Sequence, residues 1–372
     1  MRVLHLLGKS YGGIRQHVSE LDKELKKRSI DSVLAGPEGV MLGLAVQEYI
    51  IPTQNDRNPS SIIKSVRILR KVVKDFDVLH AHGTTAGYLL WFSQISGTKK
   101  PIVLTTHNVA HRGVLGVWYW LVKFFQSLLL WRVERIICPS QFALDQLSLS
   151  NNAYKKASVI LPVSKSVSSN QIQEARNKRA QTRETFGINE DEILLVSLAR
   201  ISKDKDLSTL IEAFHLATKS EEKIKLLIAG RGEKKEIKNI TDLIARKNLI
   251  GKVLLIGFFE APDELLCASD LVVLTSLCET APLVLLEAMS LGLPFLSTDV
   301  GIAPNVLDGV IGQCSKAGDS IAFSEMIESW SNKVRSNTID SRAIEAVFSS
   351  LVDKEKNIQP IVDIYFECVK EK

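Results

Sequence analysis

Several features are missing from this 372-residue chain, and each absence narrows what it can be. The five cysteines (Cys138, Cys267, Cys278, Cys314 and Cys368) are odd in number, scattered, and never form a Cys-x-x-Cys pair. That excludes a disulfide frame or a zinc ribbon as the organising device and fits reduced thiols in a cytosolic protein. The chain opens on a strand-like run without a basic, then apolar, then small-residue pattern, so no secretory signal is expected. Its most apolar stretch, Gly116–Trp131, is broken by Lys123 and Gln126 and is too short to span a bilayer. Low-complexity tracts and short-period repeats are absent. The glycine-rich turn Gly8 to Gly13 does not match G-x-G-x-x-G, which counts against a dinucleotide site. With no nucleic-acid motif and no regular basic–aromatic interleaving, nucleic acid is not an expected partner.

What is present is an ordinary balance for a globular protein, 45% hydrophobic and 24% charged, with room for two domains. The net charge of +5 is unevenly spread. Residues 1–165 carry 22 Lys and Arg against 11 Asp and Glu, a net of +11; the remainder carries 25 against 31, a net of −6. A basic half suggests that one lobe meets an anionic surface, and an anionic membrane face is the better candidate. Ile62–Lys74 supports this by threading Lys64, Arg67, Arg70, Lys71 and Lys74 among Ile63, Val66, Leu69, Val72 and Val73. The aromatic stretch Gly116–Trp131 is either a second bilayer contact or ordinary core. The expected location is the cytoplasm, peripheral on the cytoplasmic face of the membrane.

Short β-type runs alternate with amphipathic helical runs almost throughout. Strand candidates are Val3–Leu7, Ser32–Ala35, Val78–His82, Ile102–Thr106, Ile136–Pro139 and Val159–Leu161, then Ile193–Leu198, Lys225–Ala229, Val253–Ile256, Leu271–Thr275 and Phe295–Thr298. Two such series predict an α/β protein of two doubly wound, Rossmann-like domains, with ligands at the carboxyl ends of the strands. The polar, aperiodic stretch at residues 163–170 reads as the linker. The expected domains are 1–163, joined by a terminal helix over 356–372, and 164–355. Gln171–Arg183 is expected to be a solvated helix.

Two groups of residues carry chemistry. Arg200 and Lys205 follow the run Ile193–Leu198, and a pair of fixed cations is most useful where a departing diphosphate builds negative charge. Arg forks onto two phosphate oxygens and Lys acts as a point charge, so the pair makes a divalent metal unnecessary. Glu279 and Glu287 bracket the start of an apolar helix that Gly292-Leu293-Pro294 ends. Carboxylates accept from paired hydroxyls, and Glu287 interrupts an otherwise apolar run where an unpaired carboxylate is costly. Cations and carboxylates together suit a nucleotide-sugar. Asp75-Phe76-Asp77 and Asp204-Lys205-Asp206 spell Asp-x-Asp, but the first precedes a buried strand and Asp206 suits a helix N-cap, so no metal is expected.

In order and spacing these residues resemble the retaining glycosyltransferases of family 4, which have the GT-B fold. The resemblance runs over nearly the whole chain. It is carried by Gly12-Gly13, Asp77 to Gly83, Thr105-Thr106-His107-Asn108, Arg200 with Lys205, Gly230-Arg231-Gly232-Glu233, Gly257-Phe258, Ala268-Ser269-Asp270 and Glu279 to Glu287. It implies two Rossmann-like domains facing a central cleft, acceptor bound by the first and nucleotide-sugar by the second. It implies a hexose-type sugar moved from a UDP- or GDP-sugar to a hydroxyl of a lipid-linked saccharide or polysaccharide precursor, without cofactor or metal. By the same resemblance Glu279 lies beside the donor sugar, Glu287 holds the ribose, and the Gly12-Gly13 loop lies near donor phosphates and sugar. His107 matches a histidine near the reacting sugar. Gly230, Arg231, Phe258, Ala281, Pro282 and Leu283 fall along the donor. His82 and His111 are weaker candidates, and His80 is expected in the core.

The chain departs from the family pattern at Thr280-Ala281-Pro282, where a glycine and an aromatic are common, and at Val300-Gly301-Ile302 and Cys278. These changes bear on donor identity more than on reaction type. A catalytically idle GT-B subunit that binds nucleotide or a partner transferase, and a nucleotide-sugar epimerase, stay open as alternatives.

Overall fold

A computed structural model describes residues 1–8, 13–41, 48–51, 59–95, 97, 99–107, 116–147, 149–163 and 169–370. The chain divides into two compact units, Met1–Lys165 with Val352–Lys372, and Ser166–Leu351.

The described strands of the first unit are β1 (Arg2–Leu7), β2 (Asp31–Gly36), β3 (Glu48–Ile50), β4 (Val78–His82), β5 (Ile102–Thr105), β6 (Arg135–Cys138) and β7 (Ala157–Val159). They form one parallel sheet in the order β3-β2-β1-β4-β5-β6-β7. Both faces are covered, so the strands read as nearly continuous apolar runs. Leu4, Leu6, Leu79, Ala81, Ile102 and Leu104 point to one face. Three helices serve that side: α2 (Pro59–Val72) packs on α3 (Thr84–Ser93), which packs on α4 (Tyr119–Arg132). The alternate residues Val3, Val78, Val103 and Ile137 point the other way, to Leu21 and Leu25 of helix α1 (Gly13–Lys27) and to Ile358, Ile361 and Tyr365 of the terminal helix.

The second unit carries β8 (Ile193–Leu198), β9 (Ile224–Ala229), β10 (Val253–Gly257), β11 (Leu271–Leu274), β12 (Phe295–Thr298) and β13 (Gly312–Ser315), parallel in the order β10-β9-β8-β11-β12-β13. Leu195, Leu226, Ile228 and Val273 pack with Phe214 and Trp330 on one face. Leu194, Val196 and Leu227 pack with Leu265 and Ala268 on the other. Two positions differ from expectation by omission, β3 and β13, and the strand expected at Val159–Leu161 runs instead over Ala157–Val159.

Gln171–Arg183 is a correction. It forms two helices, α5 (Ser169–Asn177) and α6 (Arg179–Thr185), that pack on α8 (Pro262–Ala268), the helix after β10, and Arg183 is buried. Between α6 and α8 in chain order lies α7 (Leu207–Ala217), which follows β8. Arg183 donates to the carboxylate of Asp270 at 3.2 Å and to the carbonyls of Ala268 and Asn189 at 3.0 and 2.8 Å. A charged residue so fully partnered belongs to the interior, so one face, with Ala175, Thr182 and Arg183, is buried while Gln171, Gln173, Glu174, Arg176 and Asn177 stay exposed.

In each sheet the strand order reverses beside the first strand of its unit, between β1 and β4 and between β8 and β11. The carboxyl ends at such a switch point diverge and leave a crevice for ligands.

Candidate active site

In the second unit most predicted residues gather around the β8/β11 switch point. Arg200 follows β8 by two residues and is largely exposed, with its guanidinium 3.4 Å from Asp204. Lys205 ends a single 3-10 turn, Lys203–Lys205, and Asp206 then takes the left-handed conformation (φ 42°). From there Asp206 caps α7, accepting from the Thr209 hydroxyl at 2.6 Å. The cap bends the chain so that the Lys205 ammonium reaches Glu279, to whose Oε1 it donates. The Ser276 hydroxyl donates to the same oxygen at 3.2 Å. Both charged groups are largely buried, so the pair is screened far less than a surface pair would be. An ammonium has three N–H groups, and a bond to Glu279 leaves two to direct elsewhere.

The backbone holds this pair in place. The Thr275 hydroxyl donates to the carbonyls of Lys205 and Asp206 at 3.2 and 3.0 Å, and Leu277 N–H donates to Asp204 O at 2.8 Å. The Thr298 hydroxyl, at the end of β12, donates to Ser276 O at 2.6 Å. Gly301 braces the far side with φ 60°, and a Cβ there would sit 3.0 Å from both Pro282 Cδ and Thr280 O. Helix α9 (Leu283–Ser290) starts at Leu283, so Pro282 is its N-cap residue and not its first helical residue. Ala281 immediately precedes that cap. Glu287 sits on α9 and is half-buried. Cys278, next to Glu279, is a thiol with its pKa pushed up to about 11 by burial and by the negative charges of Asp204 and Glu279.

The ends of β9 and β10 join the same rim. Gly230 N–H donates to Gly257 O at 2.7 Å, and a Cβ on Gly230 would fall 1.9 Å from the Ala199 carbonyl oxygen, so only glycine fits. Ile201 N–H donates to Arg231 O at 2.8 Å. The Arg231 guanidinium lies over the Phe258 ring, 4.2 Å from its centroid. Loops after β8, β9 and β11 therefore present the cations Arg200, Lys205 and Arg231 and the carboxylate Glu279, and α9 carries Glu287. Of the two Asp-x-Asp pairs, Asp77 accepts from Arg2 N–H at 2.8 Å, and Asp204 and Asp206 are engaged as above.

In the first unit, Gly12 lies outside the described residues, as do Asn108 and His111, while Gly13 is the first residue of α1. His107 follows β5 and is half-buried. Behind it stands a group that sequence reasoning undervalued. His82 Nδ1 is 3.1 Å from His107 Nε2, and His82 Nε2 is 3.0 Å from His5 Nδ1. His80 uses both nitrogens, on the Tyr365 hydroxyl at 2.5 Å and on Thr105 Oγ1 at 2.7 Å. His17 of α1 faces His82 and His107 edge-on. Burial disfavours the imidazolium, pushing His5 down to about 3 and His17 to about 4 and lowering His80, His82 and His107 well below their ordinary value. All five rings are therefore neutral at neutral pH. The readable signal was His-x-His at 80 and 82, which a strand puts on one face, with His5 in register beside His80.

Gly116–Trp131 is not core. Among its residues Val117, Trp118, Trp120, Phe124 and Trp131 are 60% or more exposed, while Gln126, Leu129 and Leu130 face inward. On α2 the side chains of Lys64, Arg67, Arg70 and Lys71 and those of Ile62 and Ile63 are exposed as well, as is Lys74 just beyond the helix. No described helix is long and apolar enough to cross a membrane.

Comparison with known proteins agrees with this layout. The family description "Glycosyltransferase Family 4" matches residues 11–163, and "Glycosyl transferases group 1" matches residues 178–345. An O-antigen biosynthesis glycosyltransferase, WclY of Escherichia coli, is 29% identical over 254 residues, covering 67% of this chain and 68% of its own. The putative glycosyltransferase EpsF of Bacillus subtilis is 24% identical over 98% of this chain and 96% of its own. Among solved structures, Anabaena HepE in complex with UDP-glucose superposes with a TM-score of 0.80 at 18% identity, covering 99% of this chain and all of that one. At that identity the likeness is one of fold, and the fold is GT-B. With the two family matches spanning nearly the whole chain, this protein belongs to the group 1, family 4 glycosyltransferases.

Proposed function

We propose that the protein is a retaining, metal-independent hexosyltransferase. It moves a sugar from a UDP- or GDP-sugar to a hydroxyl of a lipid-linked saccharide or polysaccharide precursor. The observation that carries this reading is the Lys205–Glu279 pair beside Arg200 at the β8/β11 switch point. In the ground state Glu279 holds the ammonium in place. As the glycosidic C–O bond lengthens, charge grows on the diphosphate, and the remaining N–H groups of Lys205 and the Arg200 fork meet it. Because Lys205 is already held by Glu279, little reorganisation of that cation is needed when the charge appears. The two cations supply the role a divalent ion would otherwise fill. Glu287 accepts from the ribose hydroxyls, and Gly230, Arg231, Phe258, Ala281, Pro282 and Leu283 line the donor. In the first unit, His107 orients the acceptor. The complex of HepE with UDP-glucose supports a nucleotide-sugar donor, and the name of WclY supports a polysaccharide product.

The exposed aromatic residues of Gly116–Trp131 and the basic face of α2 support seating on an anionic bilayer, where a lipid-linked acceptor would be presented.

A panel of UDP, GDP and their sugars, tested by thermal shift in EDTA, checks the donor and the metal together. A selective shift in EDTA is expected. A shift that appears only with a divalent ion would remove metal independence, and no shift with any of them would remove the donor assignment. Release of sugar from the bound donor without an acceptor separates an active enzyme from an idle subunit.

A further inference from the structure

The first unit carries a cavity of about 630 Å³ at the amino ends of β6 and β7, at the other end of the sheet from the strand ends that form the switch-point crevice. Its size is within the range of small-molecule sites. Three cations, Arg135, Lys155 and Lys156, line it together with one carboxylate, Glu367. Arg135 begins β6 and pairs with Glu367 of the terminal helix at 3.5 Å. Lys155 and Lys156 follow the helical turn Asn151–Tyr154 and lead into β7. The Lys156 ammonium donates to the carbonyls of Trp131 and Val133, at the end of α4, at 3.2 and 3.1 Å. Those bonds hold a full positive charge beside the cavity and leave a third N–H. Lys155 is exposed, and no carboxylate among the described residues pairs with it. Tying down the terminal helix accounts for Arg135, and capping α4 accounts for Lys156. An exposed lysine alone would be ordinary surface, but Lys155 completes a group of three cations around a cavity whose one acidic side chain is already paired.

Trp131 joins this cavity to the apolar face of α4. Trp120, Phe124, Leu128 and Trp131 recur at helical spacing, and all four are exposed. An apolar strip about 16 Å long thus ends at a cavity with surplus positive charge. The chemistry complementary to that combination is an anion carried on hydrocarbon chains. We propose that the cavity binds the phosphate of an anionic glycerophospholipid, with Arg135, Lys155 and Lys156 meeting the phosphate and the acyl chains lying along Trp131 and α4. The inference rests on the bilayer seating proposed above and adds to it a saturable site for one lipid. Adsorption on a charged surface follows net charge, whereas a cavity selects a headgroup. The site lies away from the carboxyl strand ends where ligands of doubly wound sheets gather, so this lipid is an anchor and not the acceptor. An acidic saccharide is the competing occupant, because tryptophan beside cations also suits a sugar acid. The apolar row leading to the cavity favours the lipid.

Isothermal titration of the full chain with dihexanoyl phosphatidylglycerol, kept below its micelle concentration, tests the site without a bilayer. One molecule should bind per chain, about 10-fold more tightly than dihexanoyl phosphatidylcholine or inorganic phosphate. Lys155→Glu should weaken that binding about 10-fold or more, Lys155→Arg should keep it, and Trp131→Ser should weaken it as well. All three variants should keep the parent Tm, since both side chains are exposed. Equal affinity for the phosphatidylcholine, inorganic phosphate bound as tightly as the lipid, tighter binding of a uronic acid oligosaccharide, or undiminished binding in Lys155→Glu would each overturn the proposal. Vesicle co-sedimentation separates it from the seating it rests on. If the short-chain lipid fails to bind while the parent chain and Lys155→Glu sediment equally with phosphatidylglycerol vesicles, the cavity assignment falls and the seating stands. Saturable short-chain binding by a chain that ignores vesicles would leave the cavity assignment standing and remove the seating.

Discussion

Lys205 and Glu279 are 74 residues apart in sequence and share a hydrogen bond, each largely shielded from water. Their pairing balances the cation's charge, and under the proposed function a diphosphate would share the ammonium with the carboxylate. Lys205→Ala should reduce kcat by about 10²- to 10³-fold, the scale for removing one fixed donor at a developing oxyanion. Glu279→Gln should keep nucleotide binding but loosen the ammonium, lowering kcat more than it raises donor KM. Steady-state kinetics on both variants checks this, and an unchanged rate in Lys205→Ala would remove its assigned role.

Asp270 organises the second unit from outside the site. It accepts from Arg179 at 2.5 Å, from Arg183 at 3.2 Å and from Leu194 N–H, at the start of β8, at 2.7 Å. Replacing it with Ala strands the buried Arg183 guanidinium, a loss of about 3–5 kcal/mol. Chemical denaturation should show this for Asp270→Ala, and a loss below about 1 kcal/mol would mean the arginines find other partners.

The buried histidines predict acid sensitivity. Their folded pKa values lie below the unfolded value of about 6.5, with His5 at about 3 and His17 at about 4. The unfolded chain then binds more protons than the folded one. The stabilising contribution is complete above about pH 6.5 and is lost as pH falls toward the folded values. Each such ring costs about 1.4 kcal/mol per pH unit inside that window. Urea midpoints should therefore fall steeply between pH 6.5 and pH 4.5, and His5→Phe should make the fall shallower. A flat profile over that range would mean the rings protonate without unfolding.

Much of this arrangement was legible in the sequence, and the gaps have physical causes. The apolar strands and the Arg200, Lys205 and Glu279 signals were readable because buried parallel strands and strand-end charges leave local patterns. Strand β13, Gly312-Gln313-Cys314-Ser315, was missed because an edge strand needs little apolar content. Arg183 looked like solvent-facing polarity because its partner Asp270 lies 87 residues away. The histidine row was missed because its members come from β1, β4 and the end of β5, and only the sheet register brings them together.

Gly116–Trp131 shows the same limit, since composition records that the segment is apolar but not which way it faces. Trp118, Trp120 and Trp131 are 64%, 69% and 76% exposed, and Tyr88 of α3 ties this layer together by donating to the Phe125 carbonyl. An exposed apolar patch of this kind on a basic unit fits an anionic bilayer, the aromatic rings entering the headgroup layer and the α2 cations meeting lipid phosphates. Burying a large apolar side chain is worth about 1.5–3 kcal/mol, so even a third of that for three residues is about 2 kcal/mol. Trp118→Ser, Trp120→Ser and Phe124→Ser combined should weaken binding to phosphatidylglycerol vesicles about 30-fold. Stability should change little, because these side chains support no core. Charge reversal at Lys64, Arg67 and Arg70 should weaken the same binding most at low salt. Vesicle co-sedimentation measures both effects. If the triple variant bound vesicles as well as the parent chain, or if the parent chain proved to be a dimer that the variant dissolves, the bilayer assignment would fail.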